Sequence, residues 1–170
     1  MELKHQLSTA YHEAGHAVVG YFLGIPMRSV SIIPDGDSSG RVTGYRSVIT
    51  RRWQEALSFG RLSPSEFSGL EKQLVALLAG DVAQRRYAPR SARSHHSRAD
   101  FSCVADVVLK LWSSDKVRAA YLKFLRARAE ELVEVHWAQI DALAHALVDR
   151  RGLSGREAKS LILLSSMKRQ

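Results

Sequence analysis

The chain has a single cysteine, Cys103, in 170 residues. No internal disulfide can form, which excludes a disulfide-stapled secreted scaffold. The same scarcity excludes every zinc site built on paired cysteines and leaves His and carboxylates as metal donors. Long apolar runs are also missing. The longest, Ala17 to Met27, is interrupted by Gly20, Gly24 and Pro26 and is too short to span a bilayer. The N-terminus shows no charged-then-apolar leader ending in a small-residue cleavage site. Acidic residues are few, 17 against 25 Lys+Arg, for a net charge of +8. With 45% hydrophobic and 25% charged residues, disordered and collagen-like chains are excluded. The expectation is one soluble domain over residues 1–170, without a membrane segment, in a reducing compartment such as the cytoplasm.

The periodicity is mostly helical. Leu3, Leu7, Ala10, Ala14, Val18 and Phe22 recur at three- and four-residue steps and predict a first helix, with Ser8 or Thr9 as a rival start. Gly24 and Pro26 close it. Val30, Ile32 and Pro34 suggest a short strand lying near a sheet edge, because Pro34 has no N–H. Asp35 to Gly40 reads as a turn rather than a calcium loop, and Arg41 to Tyr45 as the returning strand. Residues 46–62 show no clean period.

Ser63-Pro64-Ser65-Glu66 is a capping box opening a helix to about Tyr87. A basic stretch with no acid follows to Arg98, and Asp100 opens a helix through Trp112. Asp115 to Arg150 reads as a helical hairpin or bent helix, and Arg156 to Leu164 as a last short helix. The fold class expected is mainly α: a single helical domain with a small N-terminal β-hairpin or sheet beside the first helix.

His12-Glu13-Ala14-Gly15-His16 is an HExxH motif inside that first helix. Positions i and i+4 share one helical face, with Cβ atoms about 5–6 Å apart. Two imidazoles there can converge on one ion, at metal–nitrogen distances of roughly 2.0–2.1 Å for zinc. Glu13 is rotated about 100° from His12, beside the open coordination position, where it can take a proton from a zinc-activated water. A catalytic zinc needs a third protein ligand, and Glu71, Asp81, His95, His96, Asp100 and Asp106 are candidates that spacing does not separate.

Thr9 to Ala17, reading TAYHEAGHA, resembles the zinc-site helix of the FtsH family of ATP-dependent metalloproteases. Val30-Ser31-Ile32-Ile33-Pro34 and Gly44-Tyr45 resemble the strands that follow in that family. Leu77 to Gln84 resembles its small-residue helix, and His136-Trp137, Ile140 to Leu147 and Leu153-Ser154-Gly155 resemble its C-terminal helices. Ala99-Asp100-Phe101 falls where the family has Asn-Asp and an apolar residue. The resemblance implies a His12, His16 and Asp100 zinc set with Glu13 as catalytic base, His95 or His96 being the rival third ligand. It also implies a zinc metalloendopeptidase acting on peptides or unfolded polypeptides. No GxxxxGK[ST] phosphate loop occurs, so the peptidase part alone is matched, with a separate ATPase or adaptor and a second copy of the chain as expected partners.

The alternative class is a zinc-containing interaction or nucleic-acid-binding module, resting on Arg85, Arg86, Arg90, Arg93 and Arg98. No aromatic interleaving accompanies these arginines, so nucleic acid is the weaker partner. Cys103 reads as a buried small side chain. Trp112, Trp137, Tyr121 and Phe124 read as core, and His136 and His145 as structural or solvated.

Overall fold

The structure is a computed structural model that describes residues 2–34, 40–43, 62–89 and 95–167. The predicted turn at Asp35–Ser39, most of the stretch 46–62, Arg90, Arg93 and the side chains of His95 and His96 lie outside the described residues. Six helices and a three-stranded antiparallel sheet are present among those described, which is the mainly helical class expected. No described helix is long and apolar enough to cross a membrane.

Helix α1 (Glu2–Phe22) is the spine of the fold. Its start precedes Ser8 and Thr9, so neither is the N-cap. It ends where Gly24 turns to φ +76°, in the left-handed region glycine enters without strain. Helix α2 (Pro64–Tyr87) opens on the capping box. The Ser63 N–H donates to Glu66 Oε2 at 3.0 Å, and the Glu66 N–H donates to Ser63 Oγ at 3.3 Å. Packing of α1 on α2 is close because Gly15 faces Ala79 and Ala83. A Cβ at Gly15 would stand 2.6 Å from the Ala79 carbonyl oxygen and 2.7 Å from Ala83 Cβ.

Helix α3 (His95–Leu111) starts a full turn earlier than expected, so Asp100 sits inside it rather than at its N-terminus. The predicted long hairpin is two helices, α4 (Asp115–Val135) and α5 (Trp137–Arg150), divided at His136. Helix α6 (Gly155–Met167) closes the chain. Ala14, Val18, Leu74, Val104, Leu125, Ile140, Leu143 and Ile162 meet in one buried core drawn from all six helices.

The expected hairpin is present and gains a further strand. Strand β1 (Ser29–Ser31) lies between β2 (Arg41–Thr43) and a third strand, β3 (Gly152–Ser154), that periodicity did not reveal. Val30 pairs with Val42 on one side and Leu153 on the other, and all three are buried. The first strand is therefore central, not an edge. Ile32 extends the contact by donating its N–H to the Arg151 carbonyl at 2.9 Å. Gly155 then pins α6 to the sheet: its N–H donates to the Arg28 carbonyl at 2.6 Å, and any Cβ there would overlap the Met27 carbonyl.

Phe124 is exposed at 43%, so it is not the core residue expected, whereas Cys103 is half-buried and packs against the core. Trp112, Tyr121 and Trp137 do pack against the core.

Candidate metal centre and active site

His12 and His16 project from one face of α1, as their i, i+4 spacing requires. Their rings meet at 88° with centroids 4.5 Å apart, and the two Nε2 atoms lie 3.0 Å from each other. Asp100 reaches them from α3. Its Oδ2 is 3.1 Å from His12 Nε2 and 3.1 Å from His16 Nε2. All three side chains are buried, and among the described residues they are the group whose donor atoms fall within reach of a single ion.

The other sequence candidates are placed elsewhere. Asp81 pairs with Arg85 at 2.7 Å and, more distantly, Arg126 at 3.7 Å. Glu71 accepts from the Tyr121 hydroxyl at 3.0 Å, and Asp106 is exposed.

Two features the sequence reading missed fix His16. Its Nδ1 lies 2.9 Å from the Ala76 carbonyl oxygen. A carbonyl can only accept, so Nδ1 carries the proton and the neutral ring presents a lone pair at Nε2. A backbone acceptor leaves no trace in residue identity, so no sequence pattern marks it. Gly80 lies against the same ring, where a Cβ would come within 2.4 Å of both Cε1 and Nε2. The small-residue run Ala79-Gly80 was its visible signal.

The donor set suits a divalent ion. Tetrahedral zinc with bonds of roughly 2.0–2.1 Å places its ligand atoms about 3.3 Å apart, close to the 3.0–3.1 Å separations here. Neutral imidazoles turning their Nε2 lone pairs to a carboxylate oxygen would be repelled by it unless a proton or cation lay between them. Both titrations reflect that demand. Burial works against charge on His16, yet Asp100 beside it and its hydrogen bond hold the imidazole above its ordinary 6.5. Burial likewise disfavours the Asp100 carboxylate, but His16 and His12 hold it well below the usual carboxylate range.

Glu13 is buried on the neighbouring face of α1, next to the start of β2. A Cβ on Gly40 would lie 2.8 Å from Glu13 Cγ and 2.9 Å from its Oε1, so the backbone of residue 40 covers the carboxylate. On the far side of α1, Tyr11 donates to Asp141 Oδ1 at 2.5 Å and stacks on Tyr87 at 4.1 Å and on Trp137 at 5.4 Å. Of the basic stretch, Arg85 pairs with Asp81 and Arg86 with Glu134, whereas Arg98 is exposed. Ion pairs within and between helices therefore engage two of the five arginines that suggested a phosphate-binding loop.

No protein-family model matches the chain. It is similar to ATP-dependent zinc metalloproteases FtsH: 30% identical over 175 residues to that of Haemophilus influenzae, covering 96% of this chain and 26% of the relative. The FtsH of Pelobacter propionicus is 27% identical over 190 residues, and that of Rickettsia typhi 26% over 192. Each of these two covers 95% of this chain, which spans 30% of the relative's length. The similarity thus runs through nearly all of this chain and supports a relation to FtsH proteins, of which it matches less than a third.

Proposed function

We propose that this chain is a zinc metallopeptidase domain in which His12, His16 and Asp100 hold the ion and Glu13 is the catalytic base. The observation that carries this reading is the convergence of three buried donor atoms within 3.1 Å of one another, one residue from a buried glutamate. The similarity to FtsH zinc metalloproteases supports it independently.

A zinc ion bound there supplies Lewis acidity that activates a water and polarises a peptide carbonyl. The chain's own residues do the rest. His16, oriented by the Ala76 carbonyl, and His12 present neutral Nε2 atoms, and Asp100 supplies the negative charge that binds a cation firmly. Glu13 accepts a proton from the attacking water at its carboxylate and returns it to the leaving amine. Its burial excludes bulk water from that transfer.

The substrate class is a peptide or unfolded polypeptide segment, because backbone pairing needs an extended chain. Pairing of such a segment along β1 does not fit, since β1 is flanked on both sides. Action with a separate ATPase or adaptor, and with further copies of the chain, belongs to the same reading.

The test is hydrolysis of labelled casein by the zinc-loaded chain and by Glu13→Gln. Cleavage is expected from the wild type and none from the variant, with zinc retained in both. Equal activity in the two proteins would reject Glu13 as the base.

A further inference from the structure

We infer that two glycines position the two halves of this site: Gly80 aims the His16 imidazole at the ion, and Gly40 holds Glu13 as proton acceptor. The inference rests on the zinc-peptidase reading and adds to it two residues that act through the side chains they pack against.

Gly80 and Ala76 are four residues apart on α2 and act on one ring. Ala76 accepts from Nδ1 at 2.9 Å and so selects the tautomer. Gly80 makes room for the opposite edge. A Cβ there would be 2.4 Å from Cε1, 2.4 Å from Nε2 and 2.9 Å from Cδ2, well inside the contact distance of about 3.5–4.0 Å between carbon atoms. The ring has no retreat. Moving it breaks the Nδ1 bond, and α1 cannot back away without opening the close Gly15–Ala79 crossing. A side chain at 80 therefore displaces the edge that carries the ligating atom.

Helix propensity predicts the opposite sign. Alanine is the better helix former, so Gly80→Ala should stabilise α2 if nothing else depended on the position.

Gly40 plays the equivalent part for Glu13. Its Cβ would stand 2.8 Å from Glu13 Cγ, 2.9 Å from Oε1 and 3.0 Å from the Ser31 carbonyl oxygen. Ser31 belongs to the central strand, held by ladders on both sides. A side chain yields more readily than strand backbone, so a methyl at 40 moves the Glu13 proton acceptor and leaves the metal ligands in place.

The experiment compares wild type, Gly80→Ala and Gly40→Ala, each checked for fold by circular dichroism in the metal-free state. Zinc affinity is read by competition with a chromophoric chelator, and casein hydrolysis is read as separate kcat and KM at saturating zinc. Gly80→Ala is expected to lose roughly 10- to 100-fold in zinc affinity, the range for partners that orient a ligand. Gly40→Ala is expected to keep zinc affinity and KM while kcat falls about 100-fold, as for a misplaced catalytic group.

Unchanged zinc affinity in folded Gly80→Ala, or unchanged kcat in folded Gly40→Ala, overturns the corresponding assignment. If Gly80→Ala does not fold, His16→Ala/Gly80→Ala, which lacks the ring, is expected to fold as His16→Ala does. Failure of that double variant alone overturns the role of Gly80. Placed on Glu13→Asp, whose shorter side chain leaves space, Gly40→Ala should cost less than it does on the wild type. Equal costs overturn the role of Gly40, whereas a wild-type chain without zinc affinity overturns the functional reading itself.

Discussion

His16 and Asp100 are 84 residues apart in the chain, yet His16 Nε2 and Asp100 Oδ2 stand 3.1 Å apart and both side chains are buried. A carboxylate in that position is costly unless a proton or a cation answers it. The contact therefore ties the docking of α3 onto α1 to the chemistry of the site.

Removing the carboxylate should act on both. Asp100→Ala is expected to lower zinc affinity by more than roughly 100-fold, beyond the loss of an orienting partner. In the metal-free protein it should cost about 3–5 kcal/mol at mildly acid pH, the range for breaking a buried ion pair. Chelator competition and urea unfolding measure the two effects separately. Wild-type zinc affinity in this variant would transfer the third ligand to another residue.

The pH dependence of the metal-free protein should have a definite sign. Asp100, held low, stabilises the fold above its ordinary 3.8, and that contribution goes only as pH falls through its lower folded value. His16, held high, contributes fully below its ordinary 6.5 and loses that contribution as pH rises through its higher folded value. The metal-free chain is thus expected to be most stable near about pH 4–6 and to melt earlier in mild alkali. Zinc requires neutral imidazoles, so its stabilising effect should grow over the same rise in pH. Calorimetry with and without zinc at acid and alkaline pH reads the two opposite trends. Parallel trends would contradict the assignment of these ligands.

Tyr11 neighbours His12 in sequence but faces away from the metal centre. Burial, and then its bond to Asp141, push its phenol well above the ordinary value, so it remains a donor. Tyr11→Phe should cost about 1.5–3 kcal/mol, as for a hydrogen bond to a charged group, and leave zinc affinity unchanged. Thermal melts and chelator competition check this pair of outcomes. A large loss of zinc affinity would draw the stack of Tyr87, Tyr11 and Trp137 into the site.

Much of this architecture can be read locally. The HExxH spacing places His12 and His16 on one face whatever the rest of the chain does, and Ser63-x-x-Glu66 marks its helix start within four residues. Ser154-x-x-Glu157 carries the same signature, with the Ser154 N–H donating to Glu157 Oε2 at 2.9 Å, and it marks the start of α6 just ahead of the expected Arg156. What escaped reading depends on distant partners. Strand β3 has three residues and one buried side chain, Leu153, too short for any alternation, and exists because β1 pairs with it across the fold. The same pairing turns the expected edge strand into the central one. Asp100 could be preferred over Asp81 or Glu71 only through the family resemblance, because the choice depends on how α3 crosses α1. The Ala76 carbonyl is invisible in sequence, being common to every residue.

The measurement that bears most directly on the central claim is an anomalous difference map, collected at the zinc edge, from crystals grown with zinc. The expected result is one strong peak roughly 2.0–2.2 Å from His12 Nε2, His16 Nε2 and an Asp100 carboxylate oxygen. A peak held by His95 or His96 in place of Asp100, or no peak between His12 and His16, would contradict it.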